Sequence, residues 1–198
     1  MTLSRPEVLS RPEVLAIASG VLLALSFPKL GHRFVAWVAL LPLLMALMQA
    51  RSPAHGFRLG YLTGAVSSLG IVYWTSLVVV QYGGLSHPVG IAVMVLLCLA
   101  LAIFPSLFGV LIALWARAWG PAALLMAPLA WVTIEMLRTY TLFNFSWCLL
   151  GYSQARNLAL IQVARYTAVY GVSFLIALVS AVFAYAAFER RASRRWMD

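Results

Sequence analysis

The side chains of this chain that could do chemistry are concentrated between Trp131 and Phe174. The run WVTIEMLR sets Glu135 and Arg138 three residues apart, on one face of a helix. Glu135 is the only acidic residue between Glu13 and Glu189. An isolated carboxylate in an apolar setting is costly, so it marks either a function or a neutralised pair that only orients its helix. The run NFSWCLLGYSQ then supplies Trp147, Tyr152 and Gln154, and Gln162, Tyr170 and Ser173 follow before Phe174. Trp147 and Tyr152 would suit an interfacial aromatic belt. The Asn, Ser, Gly and Gln of the same uncharged segment would not, because a lipid-facing helix has no use for them. A segment lining a cleft, or folding back into the membrane, does. The candidate cleft residues are therefore Glu135, Arg138, Trp147, Tyr152, Gln154, Gln162, Tyr170 and Ser173.

Other chemistries find little support. The two cysteines, Cys98 and Cys148, sit in apolar runs and have neither CxxC nor Cys/His spacing. The three histidines, His32, His55 and His87, are far apart, so no metal site is expected. There is no GxGxxG, P-loop, HExxH or GxSxG pattern, and no cofactor is expected. Cys148 follows Trp147 and is tempting as a nucleophile. An apolar surrounding leaves a thiol little thiolate, so its expected role is packing.

The elements that must position these residues follow from composition. The chain has 198 residues, of which 64% are hydrophobic and 10% charged. Its mean hydropathy is +0.95. A soluble domain is nearer 45–50% apolar and about 25% charged, so a cytosolic enzyme, a nucleic-acid-binding domain and a disordered tail are all excluded. The net charge of +9 fits basic residues at the ends of membrane spans better than nucleic acid as partner. Residues 14–28, 34–50, 59–116, 118–134, 139–155 and 166–188 carry no Asp, Glu, Lys or Arg. A crossing takes about 20 apolar helical residues. The expected fold is all-α: a polytopic membrane helix bundle of about six transmembrane helices. The expected spans are 13–27, 34–49, 57–80, 89–116, 121–139 and 160–188, the first two short enough to form a hairpin that does not fully cross. A turn is expected at Gln81–Pro88 and a kink at Pro105. Gly60, Gly64 and Ser68 recur every fourth residue, which suits a close helix-packing face but is also ordinary membrane composition.

Three parts are expected: a polar lead-in at 1–12, the membrane domain at 13–189 and a basic cytoplasmic tail at 190–198. The lead-in contains the tandem hexapeptide LSRPEV, and no A-x-A cleavage site follows it, so the first span reads as a signal anchor. Six spans put both termini on one side. If that side is the cytoplasm, nine basic residues lie inside (Arg5, Arg11, Arg51, Arg58, Arg117, Arg190, Arg191, Arg194 and Arg195) and five outside. That excess satisfies the positive-inside rule.

The run WVTIEMLRTYTLFNFSWCLLGYSQ, followed by LIQVARYTAVYGVSFLIALVSA, resembles the membrane domain of bacterial apolipoprotein N-acyltransferases. LALSFPKLGHRFVAWVALLPLLMAL resembles that family's first two spans and FRLGYLTGAVSSLGIVYWTSL its third, so the resemblance covers about residues 14–188. Glu-x-x-Arg, Trp-x-x-x-Gly-Tyr and Tyr-Gly-x-Ser-Phe occur in order, which is fairly specific. What the resemblance implies is transfer of an acyl chain from a phospholipid, through a cysteine thioester, to the α-amine of a lipoprotein's lipidated N-terminal cysteine. It implies the bacterial inner membrane, with phospholipid and lipoprotein acyl chains as partners. In the family the nucleophilic Cys, a Glu and a Lys belong to a nitrilase-like domain after a seventh span.

Two departures matter. Asn144 and Ser146 stand where the family usually has Gly and Pro, which puts the local loop shape in doubt. The chain also stops at Asp198, its only lysine is Lys29, and no Glu-Lys-Cys set can be carried over. The expectation is a membrane portion, inactive alone, served by a separate nitrilase-like catalytic chain. It would be a split subunit, a degenerate paralogue or a truncated gene product. A stand-alone lipid-binding or scaffold protein is the alternative. A transporter would want more intramembrane charge or a broken-helix repeat.

Overall fold

The computed structural model describes residues 11–27, 31–141 and 144–195, with side chains described as far as Arg190. Most of the lead-in and the side chains of the basic tail beyond Arg190 therefore lie outside the described residues. Among the described residues there are helices and turns and no strand. The helices are α1 (Pro12–Ser26), α2 (Ala36–Ala39), α3 (Leu41–Leu47), α4 (Pro53–Val72), α5 (Thr75–Gly83), α6 (His87–Leu101), α7 (Ile103–Trp119), α8 (Ala127–Tyr140), α9 (Leu158–Ile161) and α10 (Ala164–Arg195). Three 3₁₀ segments join them, at Arg33–Val35, Gly120–Met126 and Leu150–Gln154.

Prolines and glycines punctuate the path. Pro12, Pro53, Pro88 and Pro128 stand in the first turn of α1, α4, α6 and α8, where a missing N–H costs nothing. Ser52 caps α4 by accepting the His55 backbone N–H at 3.1 Å. Gly84 ends α5 at φ 64°, inside the expected turn. The α6–α7 boundary falls at Ala102, three residues before Pro105, where the kink was expected.

All six expected spans are helical, but six complete crossings are not confirmed. Two stretches are long and apolar enough to cross a membrane, His87–Tyr140 and Ala164–Arg190. The α4–α5 pair, bent by 48°, makes a third if it is one span. The helices at 12–26 and 33–47 fall short of the ~20 residues a crossing takes. The 54-residue stretch is no single rod, because α8 packs back on α7.

α4 lies between α1 and α7, and α8 packs on α7 and α10. The α4–α7 seam is unusually close. A Cβ on Gly56 would stand 2.5 Å from the Gly109 carbonyl, and one on Gly64 2.7 Å from Ala102 Cα. A Cβ on Gly60 would strike the Pro105 carbonyl. The small-residue pattern is therefore a packing face as far as Gly64. Hydroxyls tie other helices together: Thr63 donates to the Ala16 carbonyl, Ser19 to that of Ala39 and Ser180 to that of Trp37, all within 2.8 Å. Phe108 meets Trp131 edge to face at 5.1 Å. Outside this core, Val95, Leu96, Leu99, Leu129 and Phe183 are exposed, an apolar surface that suits lipid.

Candidate lipid-facing cleft and its supporting segment

α8 holds the connection that follows it. Glu135 is buried, and its Oε1 accepts two hydrogen bonds, from Trp131 Nε1 at 3.1 Å and from the Leu150 backbone N–H at 2.6 Å. Arg138 donates through Nη2 to the Trp147 carbonyl at 3.2 Å. Ser173, buried on α10, accepts the Gly151 N–H at 2.9 Å. Gly151 must be glycine here, since a Cβ would stand 2.6 Å from the Val169 carbonyl. Segment 147–151 is thus fixed through its backbone by three side chains on two helices.

The connection after α8 carries two non-glycine residues in left-handed conformation, Asn144 at φ 40° and Cys148 at φ 60°. Asn tolerates that region better than most residues, so it serves where the family pattern has Gly. Trp147, about half exposed, lies against Trp74 at 5.2 Å and Phe145 at 6.0 Å. Trp74 stands at the α4–α5 break, so this aromatic contact joins the bend to the connection.

The expected residues do not all converge. Gln154 is buried and donates to the Arg33 carbonyl at 2.9 Å, joining the connection to the turn before α2. Tyr170 faces Tyr140 at 6.4 Å. Tyr152 is partly exposed. Gln162 is exposed and bonds to the Leu158 carbonyl of its own turn. Glu135 and Arg138 make no direct ion-pair contact within 4 Å among the described residues.

Just past the point where the α4–α7 seam is closed by Gly64 and Ala102, a cleft opens. Its enclosed space is small, about 40 Å³. Its walls include Ser67 and Ser68 of α4, Leu101 of α6, Trp131 and Arg138 of α8, and Cys148. Arg138 is the member of the sequence-derived group that lines it. Burial pushes the Cys148 thiol, which lies in the connection, up to about 11, so it stays protonated near neutrality and packs rather than attacks. Sequence reading missed Ser67 and the apolar wall, because an apolar residue does not reveal whether it faces lipid, a helix or a void. Ser68 was visible as the last member of the small-residue pattern. Among the described residues no His/Cys/Asp/Glu group could hold a metal.

The fold defines an all-helical membrane protein, with two helical stretches, or three if the bent pair is one span, long and apolar enough to cross a bilayer. Residues 19–182 match the family described as apolipoprotein N-acyltransferase N-terminal domain, and the chain belongs to that family. It is 43% identical over 172 residues to an apolipoprotein N-acyltransferase of Geobacter metallireducens, covering 87% of this chain and 33% of the relative. With those of Methylococcus capsulatus and Shewanella oneidensis it shares 32% and 30% identity, over 92% and 86% of this chain and 36% and 33% of theirs. The chain spans about a third of the length of these relatives.

Proposed function

We propose that this chain is the membrane portion of an apolipoprotein N-acyltransferase, acting in lipoprotein maturation in the bacterial inner membrane. The observation that carries the reading is the 147–151 segment, anchored through its backbone to α8 and α10 beside the α4–α6–α8 cleft, in a chain whose family is that enzyme's N-terminal domain. The chain's role is to hold acyl chains of phospholipid and lipoprotein beneath a catalytic part. Glu135, Arg138 and Ser173 keep the segment in place. Trp147, Tyr152 and Tyr170 shape its rim, and Gln154 braces it against the turn before α2. These 198 residues hold one lysine, Lys29, and no Glu-Lys-Cys set, so acyl transfer needs a nitrilase-like catalytic part.

The domain is 13–189, with both termini in the cytoplasm. Arg117 donates to the Arg51 carbonyl and Arg33 to the Arg156 carbonyl, two separate basic clusters that support this reading. The basic excess on the side of the termini supports this orientation. The test is acylation of a diacylated lipoprotein peptide in membranes containing this chain, with and without a separately encoded nitrilase-like part. Activity only with the added part is expected. No activity in either case favours a stand-alone lipid-binding protein. Activity of the chain alone contradicts the proposal.

A further inference from the structure

The bundle is not equally tall on all sides. α4 alone has 20 residues, about 30 Å of helix, and α5 continues beyond it. α1 has 15 residues, about 22 Å. At the foot of α1, Glu13 meets His55 of α4 at 3.3 Å, and past its far end the chain turns back through Arg33. α10 measures the height of that turn independently. Ser180 donates to the Trp37 carbonyl, and Ser180 is ten residues, about 15 Å, from Arg190. Arg33 precedes Trp37 by four residues, which adds about one helical turn. Both routes put the turn about 20 Å from the end of the bundle where Arg117 meets Arg51. The hydrocarbon of a bilayer is about 30 Å thick.

The turn is nevertheless cationic. Arg33 donates to the Arg156 carbonyl at 3.2 Å, and Gln154 donates to the Arg33 carbonyl at 2.9 Å, so the two arginines share one patch. Neither forms an ion pair among the described residues. Phe34 and Leu158 beside them are 73% and 71% exposed, and the Arg33 guanidinium stands 5.0 Å over the Phe34 ring. Cations at this depth are costly unless they reach phosphate, and a bilayer thins at modest cost to meet a short element.

We infer that the bilayer is thinned beside the α1–α3 hairpin, where Arg33 and Arg156 hold phospholipid headgroups at the level of the turn. Phosphate fits the guanidinium fork, and an exposed ring beside a cation suits the interface. The occupant is the headgroup layer of the surrounding leaflet. A free phosphate ion would cover the arginines and leave Phe34 and Leu158 in water. The inference needs the chain to lie in a membrane and does not depend on acyl transfer.

The test is the depth of a nitroxide attached at Leu158→Cys in the full chain, with Cys98→Ala and Cys148→Ala, in vesicles of dioleoyl phosphatidylcholine and phosphatidylglycerol. A second label at Met136→Cys is the reference. Met136 is exposed on α8 next to Glu135, which holds Leu150, while Ser173, seven residues beyond Ser180, holds Gly151, so Met136 stands no lower than Arg33. Accessibility to oxygen and to a water-soluble nickel chelate reads each depth. The Leu158 label should lie at the phosphate level and the Met136 label in hydrocarbon. Arg33→Leu with Arg156→Leu should sink the Leu158 label by several ångströms and leave the Met136 label where it was, which also shows that the fold is kept. Lysine at both positions should restore the shallow position. A Leu158 label as deep as the Met136 label in the parent chain overturns the inference, as does one standing in bulk water. An unchanged Leu158 depth in the double leucine variant overturns the role of the arginines.

Discussion

Glu135 and Arg138 stand one turn apart on α8 without pairing, and each holds the backbone of the segment beyond the helix. Glu135 takes the Leu150 N–H at 2.6 Å, and Arg138 gives a hydrogen bond to the Trp147 carbonyl at 3.2 Å. A carboxylate and a guanidinium that satisfy backbone groups define a loop shape.

Removing the carboxylate should therefore be felt beyond its own site. Glu135→Ala leaves the Leu150 N–H and Trp131 Nε1–H without an acceptor. Each such loss costs about 1–3 kcal/mol. Leu137 on the same helix is exposed, and Leu137→Ala removes only outward-facing apolar surface. In a complemented full-length enzyme, Glu135→Ala should reduce acyl transfer and thermal stability far more than Leu137→Ala. Equal, small effects would remove the special role of Glu135.

The α10 anchor makes a parallel case. Ser173→Ala deprives the Gly151 N–H of its acceptor and should destabilise by about 1–3 kcal/mol. Gly151→Ala presses a methyl to 2.6 Å from the Val169 carbonyl and should cost about as much by overpacking. Thermal unfolding in detergent reads both, and either variant matching the parent chain would show that the segment is held elsewhere.

The α4–α7 seam predicts a graded glycine series. Gly60→Ala meets the Pro105 carbonyl and Gly64→Ala meets Ala102 Cα at 2.7 Å, so both should lower the unfolding temperature. Gly83→Ala is the control, because its Cβ would approach nothing closer than Leu85 Cγ at 3.9 Å.

Conformation rather than contact governs Asn144. At φ 40° a β-branched residue is strained, whereas glycine is free. Asn144→Gly should be neutral or slightly stabilising, and Asn144→Val should destabilise. A near-ultraviolet circular dichroism signal from the Trp74–Trp147–Phe145 cluster would report the loop directly.

These relationships differ in how far the sequence announces them. The positions of the helical stretches follow from charge-free runs, and Glu135 declares itself by isolation. Gly60 and Gly64 show their spacing plainly, because close approach permits only small residues. The partners of Glu135 and Ser173 are backbone N–H groups, which every residue but proline carries, so no side-chain pattern points to Leu150 or Gly151. Gln162 is polar in an apolar run for a local reason, its bond to the Leu158 carbonyl. The 48° bend at Tyr73–Trp74 and the break at Ala168, φ 53°, contain neither proline nor glycine and give no local signal. How many stretches fully cross was not legible either, since hydropathy marks apolar length and not the path taken.

The proposed function has this chain supplying the membrane portion of an acyltransferase. The most direct test replaces the matching third of the Geobacter metallireducens relative, 43% identical, with residues 14–188 of this chain. The chimaera is then assayed for acylation of a diacylated lipoprotein peptide. The account predicts transfer at a level comparable with the parent enzyme, falling when Glu135→Ala is introduced. A chimaera present in the membrane at parental amounts but without transfer would contradict it.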